Sequence, residues 1–315
     1  MEATLATIVA AAAPLIYATI GETITEKAGV INLSLDGSIM LSAMTAFATT
    51  VVTGNVILGF LAAAGVSIAI AALIAAASIE LKLNQIAVGF VLTLLAIDLS
   101  SFLGDSYVGV RGTSVPPWDI PLLSDIPWVG TIFFSHNLSV YGSFAVLIGA
   151  YWFLFRTRRG LELQGVGERP EAAFARGLPV NKLRYLYTVV GGALVGIAGA
   201  AFSLDVKFGW RENLTLNFGW IALAIVIFGG WHPVRVALGC YLFGALQVLA
   251  LKLQPVEALQ GVSQILPILP FVLMIFTLVI VYLDWFRRFG DRHPRWRRLF
   301  ASDPPSGIGR VFERE

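Results

Sequence analysis

The feature that most constrains this sequence is a polar segment, residues 156–184, set between long apolar stretches. It reads RTRRGLELQGVGERPEAAFARGLPVNKLR and contains seven of the 22 Lys and Arg residues of the chain. A short loop this basic, connecting membrane spans, is retained on the cytoplasmic side of a bilayer. The other spans can therefore be counted outward from this loop.

A short helix is predicted inside the loop. Pro170 suits a first helical turn because that turn leaves its N–H groups unpaired, and Glu171 suits the positive amino-terminal end of a helix. Gly177 ends the helix and Pro179 prevents it from resuming. On the residues alone, this helix is either a solvated connector that sets topology or a docking element for a partner.

Composition decides that the rest of the chain lies in a membrane. The 315 residues are 57% hydrophobic and 13% charged, with a mean hydropathy of +0.78. Soluble globular domains contain about 25% charged residues. A tail at residues 285–315 carries eight Arg. We expect this tail to be cytoplasmic and to hold lipid headgroups rather than nucleic acid.

The apolar runs predict an all-α polytopic membrane helix bundle of about nine transmembrane spans, with a range of 8–10. Five spans precede the loop and four follow it, in a single transmembrane domain, residues 1–284. Gly192 and Gly196 predict a close helix crossing in one of them. The spans are 4–20, 39–52, 56–78, 85–103, 139–155, 185–202, 217–230, 236–253 and 265–283, the last bent by Pro267 and Pro270. Nine spans place the amino end outside, and ten place it inside.

A broken span is predicted near residues 29–37, after a brief polar break at residues 21–27. In GVINLSLDG, apolar residues alternate with Asn32, Ser34 and Asp36, which is the period of extended backbone. Non-helical backbone at membrane depth persists only where it is buried in protein or lines a cavity, and such breaks mark transport sites. The alternative is a simple interfacial loop.

The span 85–103 carries a polar stripe. Small or polar side chains recur every three or four residues on one face, at Gln85, Gly89, Thr93, Ala96 and Ser100. The small ones suit helix packing, but Asn84, Gln85 and Asp98 together are more polar than packing requires. We therefore predict a solute path lined by Asn32, Ser34, Asp36, Asn84, Gln85, Thr93 and Asp98.

The loop and the broken span together resemble a known family. VGERPEAAFARGLPVNKLRYL resembles the coupling loop of permease subunits of ABC importers, in which an EAA…G pattern forms the helix that sits in a groove of the ATPase. The loop segment is similar to that of the simple-sugar and nucleoside branch, related to ribose and branched-chain amino-acid permeases, and GVINLSLDG is similar to a signature of the nucleoside-type permeases, with Asp36 where Glu is common. The segment NFGWIALAIVIFGG, residues 217–230, resembles a further segment of the family. Its first four residues, 217–220, depart from the usual Gly-Arg-Gly-Phe start.

This resemblance implies a permease subunit of an ATP-driven ABC importer for nucleosides or purines first and simple sugars second. The implied partners are ATP-binding subunits, a second related permease in a heterodimer, and an extracytoplasmic solute-binding protein. The implied location is a bacterial or archaeal plasma membrane, without a cofactor. The residues that would couple to the ATPase are Glu168, Glu171, Ala172, Ala173 and Gly177.

Motifs for catalysis are missing from the sequence. No phosphate-binding G-x-x-x-x-G-K-[ST] loop occurs, and the three His residues fall in separate loops. We therefore expect that the chain is not an enzyme and that a separate subunit hydrolyses ATP. The alternative is a secondary transporter driven by an ion gradient, with Asp36 and Asp98 as proton or sodium sites. A docking-type loop argues against it, because such a carrier has no ATPase.

Overall fold

The computed structural model describes residues 1–254 apart from Leu122 and Asp125, and beyond them residues 268, 271–272, 275–276, 304–310 and 312. Regular structure in these residues is almost entirely helical, which confirms the predicted all-α bundle. The α-helices are α1 (Glu2–Lys27), α2 (Leu35–Thr53), α3 (Val56–Ala75), α4 (Gln85–Gly104), α5 (Leu138–Arg156), α6 (Arg158–Glu168), α7 (Pro170–Ala175), α8 (Val180–Ala201), α9 (Phe218–Gly229) and α10 (Pro233–Leu253). Strands β1 (Pro117–Asp119) and β2 (Ser135–Asn137) pair in an antiparallel ribbon.

Seven helices in the described part of the chain are long and apolar enough to cross a membrane: α1, α2, α3, α4, α5, α8 and α10. Helix α9 has 12 residues. At about 1.5 Å per residue it is much shorter than the ~30 Å hydrocarbon core of a bilayer. The five spans predicted before the loop are all present. The span predicted at 265–283 and most of the tail at 285–315 lie outside the described residues.

Asparagine side chains begin three of the spans. Asn55 accepts hydrogen bonds from the N–H groups of Ile57 and Leu58 at the start of α3. Asn84 and Asn137 bond the first turns of α4 and α5 in the same way. An amide oxygen at this position satisfies donors that the helix itself cannot pair.

Helix α8 packs against α1, α2 and α3, while α1 also packs against α10. Close approach depends on small residues. A Cβ added to Gly192 would lie 2.4 Å from Cβ of Ala71, and one on Gly196 would lie 2.5 Å from the carbonyl oxygen of Ala63. Both glycines face α3, so the predicted close crossing is confirmed.

Two predicted boundaries near the start of the chain were wrong. Residues 21–27 are not a polar break, because α1 continues through them to Lys27 with its acids buried in the bundle. The backbone is non-helical only at residues 28–34, since α2 begins at Leu35. Alternating polarity over 29–37 reflects an irregular segment followed by the buried first turn of a helix, rather than one extended strand.

Candidate functional site

The non-helical segment at residues 28–34 is braced by the polar stripe of α4. Gln85 Oε1 accepts a hydrogen bond from the Ile31 N–H at 2.8 Å. Thr93 Oγ1 donates to the Leu33 carbonyl oxygen at 2.7 Å. Between them, Gly89 leaves no room for a side chain, since an added Cβ would lie 2.9 Å from the Leu33 nitrogen. The stripe therefore supplies hydrogen bonds that the interrupted helix ladder cannot supply.

The segment also satisfies its own polar groups. Asn32 Oδ1 accepts hydrogen bonds from the Ser34 hydroxyl at 2.7 Å and from the Ser34 N–H at 3.1 Å. The hydroxyls of Ser34 and Ser38 lie 3.0 Å apart. All three side chains are buried. They form a compact group of uncharged donors and acceptors inside the bundle.

Asp36 joins this segment to a second interruption, residues 207–217, which precedes α9. Its two carboxylate oxygens accept hydrogen bonds from the N–H groups of Asn217 at 3.1 Å and Gly219 at 2.8 Å. A Cβ on Gly219 would lie 2.2 Å from the Asp36 nitrogen, so only glycine permits this approach. Asp36 therefore caps the half-length helix α9, with its charge at the positive helix end.

Two of the predicted path residues are placed elsewhere. Asn84 is exposed and accepts hydrogen bonds from the N–H groups of Ile86 and Ala87 at the start of α4. Asp98 is exposed on a face of α4 shared with large apolar side chains such as Leu94 and Phe102. The structure brings together Asn32, Ser34, Asp36, Gln85 and Thr93, and keeps Asn84 and Asp98 apart from them.

Two acids in α1 that were not predicted from the sequence are buried, and one of them, Glu22, joins the group. Glu22 Oε1 accepts a hydrogen bond from the Asn32 N–H at 3.3 Å, and Glu26 accepts one from the Trp231 indole. The second oxygen of Glu22 has no hydrogen-bond partner among the described residues. The available signal was the spacing of four residues in GETITEK, which places both acids on one helix face.

The predicted coupling helix is α7, and the end of α6 just before it lies against the broken segment. Gly167, at the end of α6, packs so closely that an added Cβ would lie 2.1 Å from the Lys27 carbonyl oxygen. Ala173 is buried against Val166 and Val180. Four of the five predicted coupling residues are exposed, namely Glu168, Glu171, Ala172 and Gly177. The loop thus has one face on the bundle and one face open.

A basic cavity of about 600 Å³ lies where the connections after α4 and α8 meet. Its lining includes Arg111, Lys207 and Arg211, together with Trp210. Burial lowers the pKa of Lys207 from its ordinary value, and the nearby charge of Arg211 lowers it further. Three cationic side chains at one opening would attract an anionic surface or group.

Known proteins are similar to this chain over most of its length. The family model described as branched-chain amino acid transport system / permease component matches residues 4–278. A putative glucose ABC transporter permease of Haloferax volcanii is 40% identical over 250 residues, covering 78% of this chain and 76% of the relative. A nucleoside ABC transporter permease of Lactococcus lactis is 30% identical over 283 residues, covering 86% and 88%. A guanosine ABC transporter permease of Bacillus subtilis is 33% identical over 246 residues, covering 74% and 76%. No solved structure matches.

Proposed function

This chain belongs to the family of branched-chain amino acid transport system permease components, and on that premise we propose that it conducts nucleosides or purines, with simple sugars as the second candidate. It is a multi-pass membrane protein and the permease subunit of an ABC importer, a class that works with an ATP-binding subunit and a solute-binding protein. Relatives named for guanosine and nucleosides support the first solute class. The relative at 40% identity, named for glucose, supports the second.

The observation that carries the proposal is the meeting of two interrupted spans at Asp36, the first of which also contacts the coupling loop near Gly29. Around Asn32 and Ser34, the available side-chain groups are mainly hydroxyls and amides, which suit the ring hydroxyls of a nucleoside or a sugar. Each net hydrogen bond contributes about 1 kcal/mol, so the few bonds that these groups can form with a solute would hold it weakly. Weak binding suits a site that the solute occupies only in passing. In this proposal Asn32, Ser34, Gln85 and Thr93 form the solute path, and Asp36 shapes it by capping α9.

The exposed face of α7 is the proposed docking surface for the ATPase. Glu171 and Ala172 lie on it, and Gly177 ends it with a positive φ of 82°. The loop faces the cytoplasm of a bacterial or archaeal cell in this proposal, and the basic cavity at Arg111 and Lys207 faces the solute-binding protein. A second, related permease completes a heterodimer, and ATP hydrolysis takes place in the ATPase partner alone.

The gradient-driven alternative needs acids that share a transport site. Asp36 is committed to two backbone N–H groups, and Asp98 lies on an exposed face of α4. Neither arrangement favours a common proton or sodium site in the described part of the chain.

Reconstitution tests the proposal. The purified chain in proteoliposomes should bind no ATP and take up no solute under a proton or sodium gradient. Adding the ATPase, the sister permease, the binding protein and ATP should produce uptake of radiolabelled guanosine, with glucose tested in parallel. Gradient-driven uptake by the chain alone, abolished by Asp36→Asn or Asp98→Asn, would contradict the importer mechanism.

A further inference from the structure

Part of the tail returns to the coupling loop. We call residues 304–310 and 312 the strap. The Gly307 N–H donates to the Gly167 carbonyl oxygen at 2.8 Å, and the Ser306 N–H and hydroxyl donate to Glu168 Oε2 at 3.1 and 2.9 Å. The Phe312 side chain is buried against Val166, Ala173 and Val180. The strap therefore bonds the end of α6 and, through Phe312, forms part of the apolar cluster that positions α7.

The same strap contacts the broken segment. The Gly309 N–H donates to the Gly29 carbonyl oxygen at 3.1 Å, and an added Cβ on Gly309 would lie 2.9 Å from Cδ1 of Ile31. Ile308 packs against the main apolar core. One short stretch of chain thus bridges the coupling loop and the first interrupted span. No other described segment bonds the backbone of both Gly29 and Gly167.

Arg184, near the start of α8, fastens the strap. Arg184 is 2% exposed, and its guanidinium donates to the carbonyl oxygens of Arg310 at 2.9 Å and Gly307 at 3.4 Å. Gly29 lies against the same guanidinium, since an added Cβ would lie 2.9 Å from Nη2. A buried cation needs polar partners to offset its lost hydration, and here the strap supplies two carbonyl oxygens.

We propose that the strap is a mechanical link of the transporter, which passes displacement of the coupling loop to residues 28–34 and hence to the solute path, and that Arg184 is its positioning residue. This inference rests on the proposed function, because it is tested by measuring ATP-driven uptake of the solute. The physical basis is that the strap contacts both elements through hydrogen bonds and packed side chains, so neither can shift without moving it or breaking those bonds.

The fit of Gly307 provides a small disruptive change. An added Cβ there would lie 2.7 Å from the Gly167 carbonyl oxygen and 3.0 Å from Cδ of Pro170, so Gly307→Ala should lift the strap. Gly165→Ala is the matched control, because that glycine lies in the same loop with nothing within 4 Å of an added Cβ. A second variant replaces residues 304–312 with a Gly-Ser linker of equal length.

The measurement is solute taken up per ATP hydrolysed by the complete reconstituted transporter. Gly307→Ala and the linker variant should lower this ratio about fivefold or more, a typical size for coupling between sites, while the ATPase stays bound. Gly165→Ala should keep the wild-type ratio. Arg184→Gln should resemble Gly307→Ala, and Arg184→Lys should recover part of the ratio. A wild-type ratio in both strap variants, or loss of ATPase binding in both, would overturn the link.

A labelling experiment measures whether the strap stays docked, and it needs no solute. In a Cys240→Ala background, Ile308→Cys should react slowly with a water-soluble maleimide, before and during ATP turnover, and quickly once Gly307→Ala is added. Fast reaction of Ile308→Cys during turnover would show that the strap detaches, which contradicts a permanent link. If instead the wild-type complex transports nothing while the labelling is as expected, the proposed function fails and the docking of the strap stands.

Discussion

At the scale of single residues, Asp36 shows how one carboxylate can hold two interrupted spans together. Both of its oxygens are occupied by backbone N–H groups at the start of α9. Hydrogen bonds to a charged group contribute about 1.5–3 kcal/mol each, more than neutral ones. Its first role is therefore structural, and any effect on solute passes through the position of α9.

Removing this carboxylate should destabilise the bundle. Asp36→Ala removes the acceptors of the Asn217 and Gly219 N–H groups, of which that of Gly219 is buried, and should lower the free energy of unfolding by about 2 kcal/mol or more. Asp36→Asn retains one acceptor oxygen and should fall between Asp36→Ala and wild type. Thermal unfolding in detergent measures the effect, with exposed Asp98→Asn as the control. Wild-type stability of Asp36→Ala combined with lost uptake would instead assign Asp36 to solute contact.

The residue scale also shows where sequence patterns suffice. The helical period of the stripe identified Gln85 and Thr93, because i, i+4 spacing follows from helix geometry alone. Their partners, the backbone of Ile31 and Leu33, are 54 and 60 residues away and follow only from the tertiary fold. Glu22 and Glu26 were missed because acids beside an apolar run indicate a helix end, whereas here they lie inside the bundle and accept hydrogen bonds from the Asn32 N–H and the Trp231 indole.

At the scale of elements, α7 is a helix that its own sequence cannot sustain. With 6 residues it is far shorter than the ~12 residues at which isolated helices become even marginally stable. Ala173 anchors it to the apolar cluster, and the N–H of Leu178 donates to the Ala173 carbonyl oxygen after the turn at Gly177. The direction in which the chain leaves α7 therefore depends on Gly177.

A conformational test separates this turn from simple bulk. Gly177 has open space around it but a φ of 82°, so Gly177→Val should strain the backbone, whereas Gly177→Asn tolerates the left-handed region. We expect Gly177→Val to abolish ATP-driven uptake with normal membrane insertion, and Gly177→Asn to retain most of it. Equal uptake by the two variants would remove the turn from the coupling mechanism.

The sequence predicted this element well because local signals define it. Pro170, Glu171 and Gly177 determine the start and the end of a short helix through backbone chemistry that needs no partner. It predicted the broken span less well. Alternation at residues 29–37 does not separate an extended strand from a turn followed by a buried helix start, because both leave polar groups at alternate positions.

At the scale of the whole molecule, the proposed path is closed in this conformation. Asn32, Ser34 and Thr93 are each no more than 2% exposed and are tied to one another or to nearby backbone. An alternating-access transporter must open such a group to water at another step of its cycle. If the five clustered residues form the path as proposed, we expect their exposure to change during the transport cycle.

Thiol accessibility should follow that cycle. Ser34→Cys and Thr93→Cys, in a Cys240→Ala background, should react slowly with a water-soluble reagent in the resting complex and faster during ATP turnover. Asn84→Cys, at an exposed position, is the control and should react at the same rate in both states. Unchanged slow reaction of both path cysteines during active uptake would place the path elsewhere.

Several buried contacts join residues that are far apart in the sequence, which has a consequence for how the protein is inserted into the membrane. The two hydrogen bonds to Asp36 come from residues that lie 181 and 183 positions later in the chain, and Glu26 accepts one from Trp231, 205 positions later. The strap donates to Gly29 from Gly309. In a chain that is inserted from its amino end, Glu26 and Asp36 therefore lack these partners until most of the remaining chain has been translated. During insertion the protein therefore passes through a stage in which these carboxylates lack the partners that they have in the finished bundle.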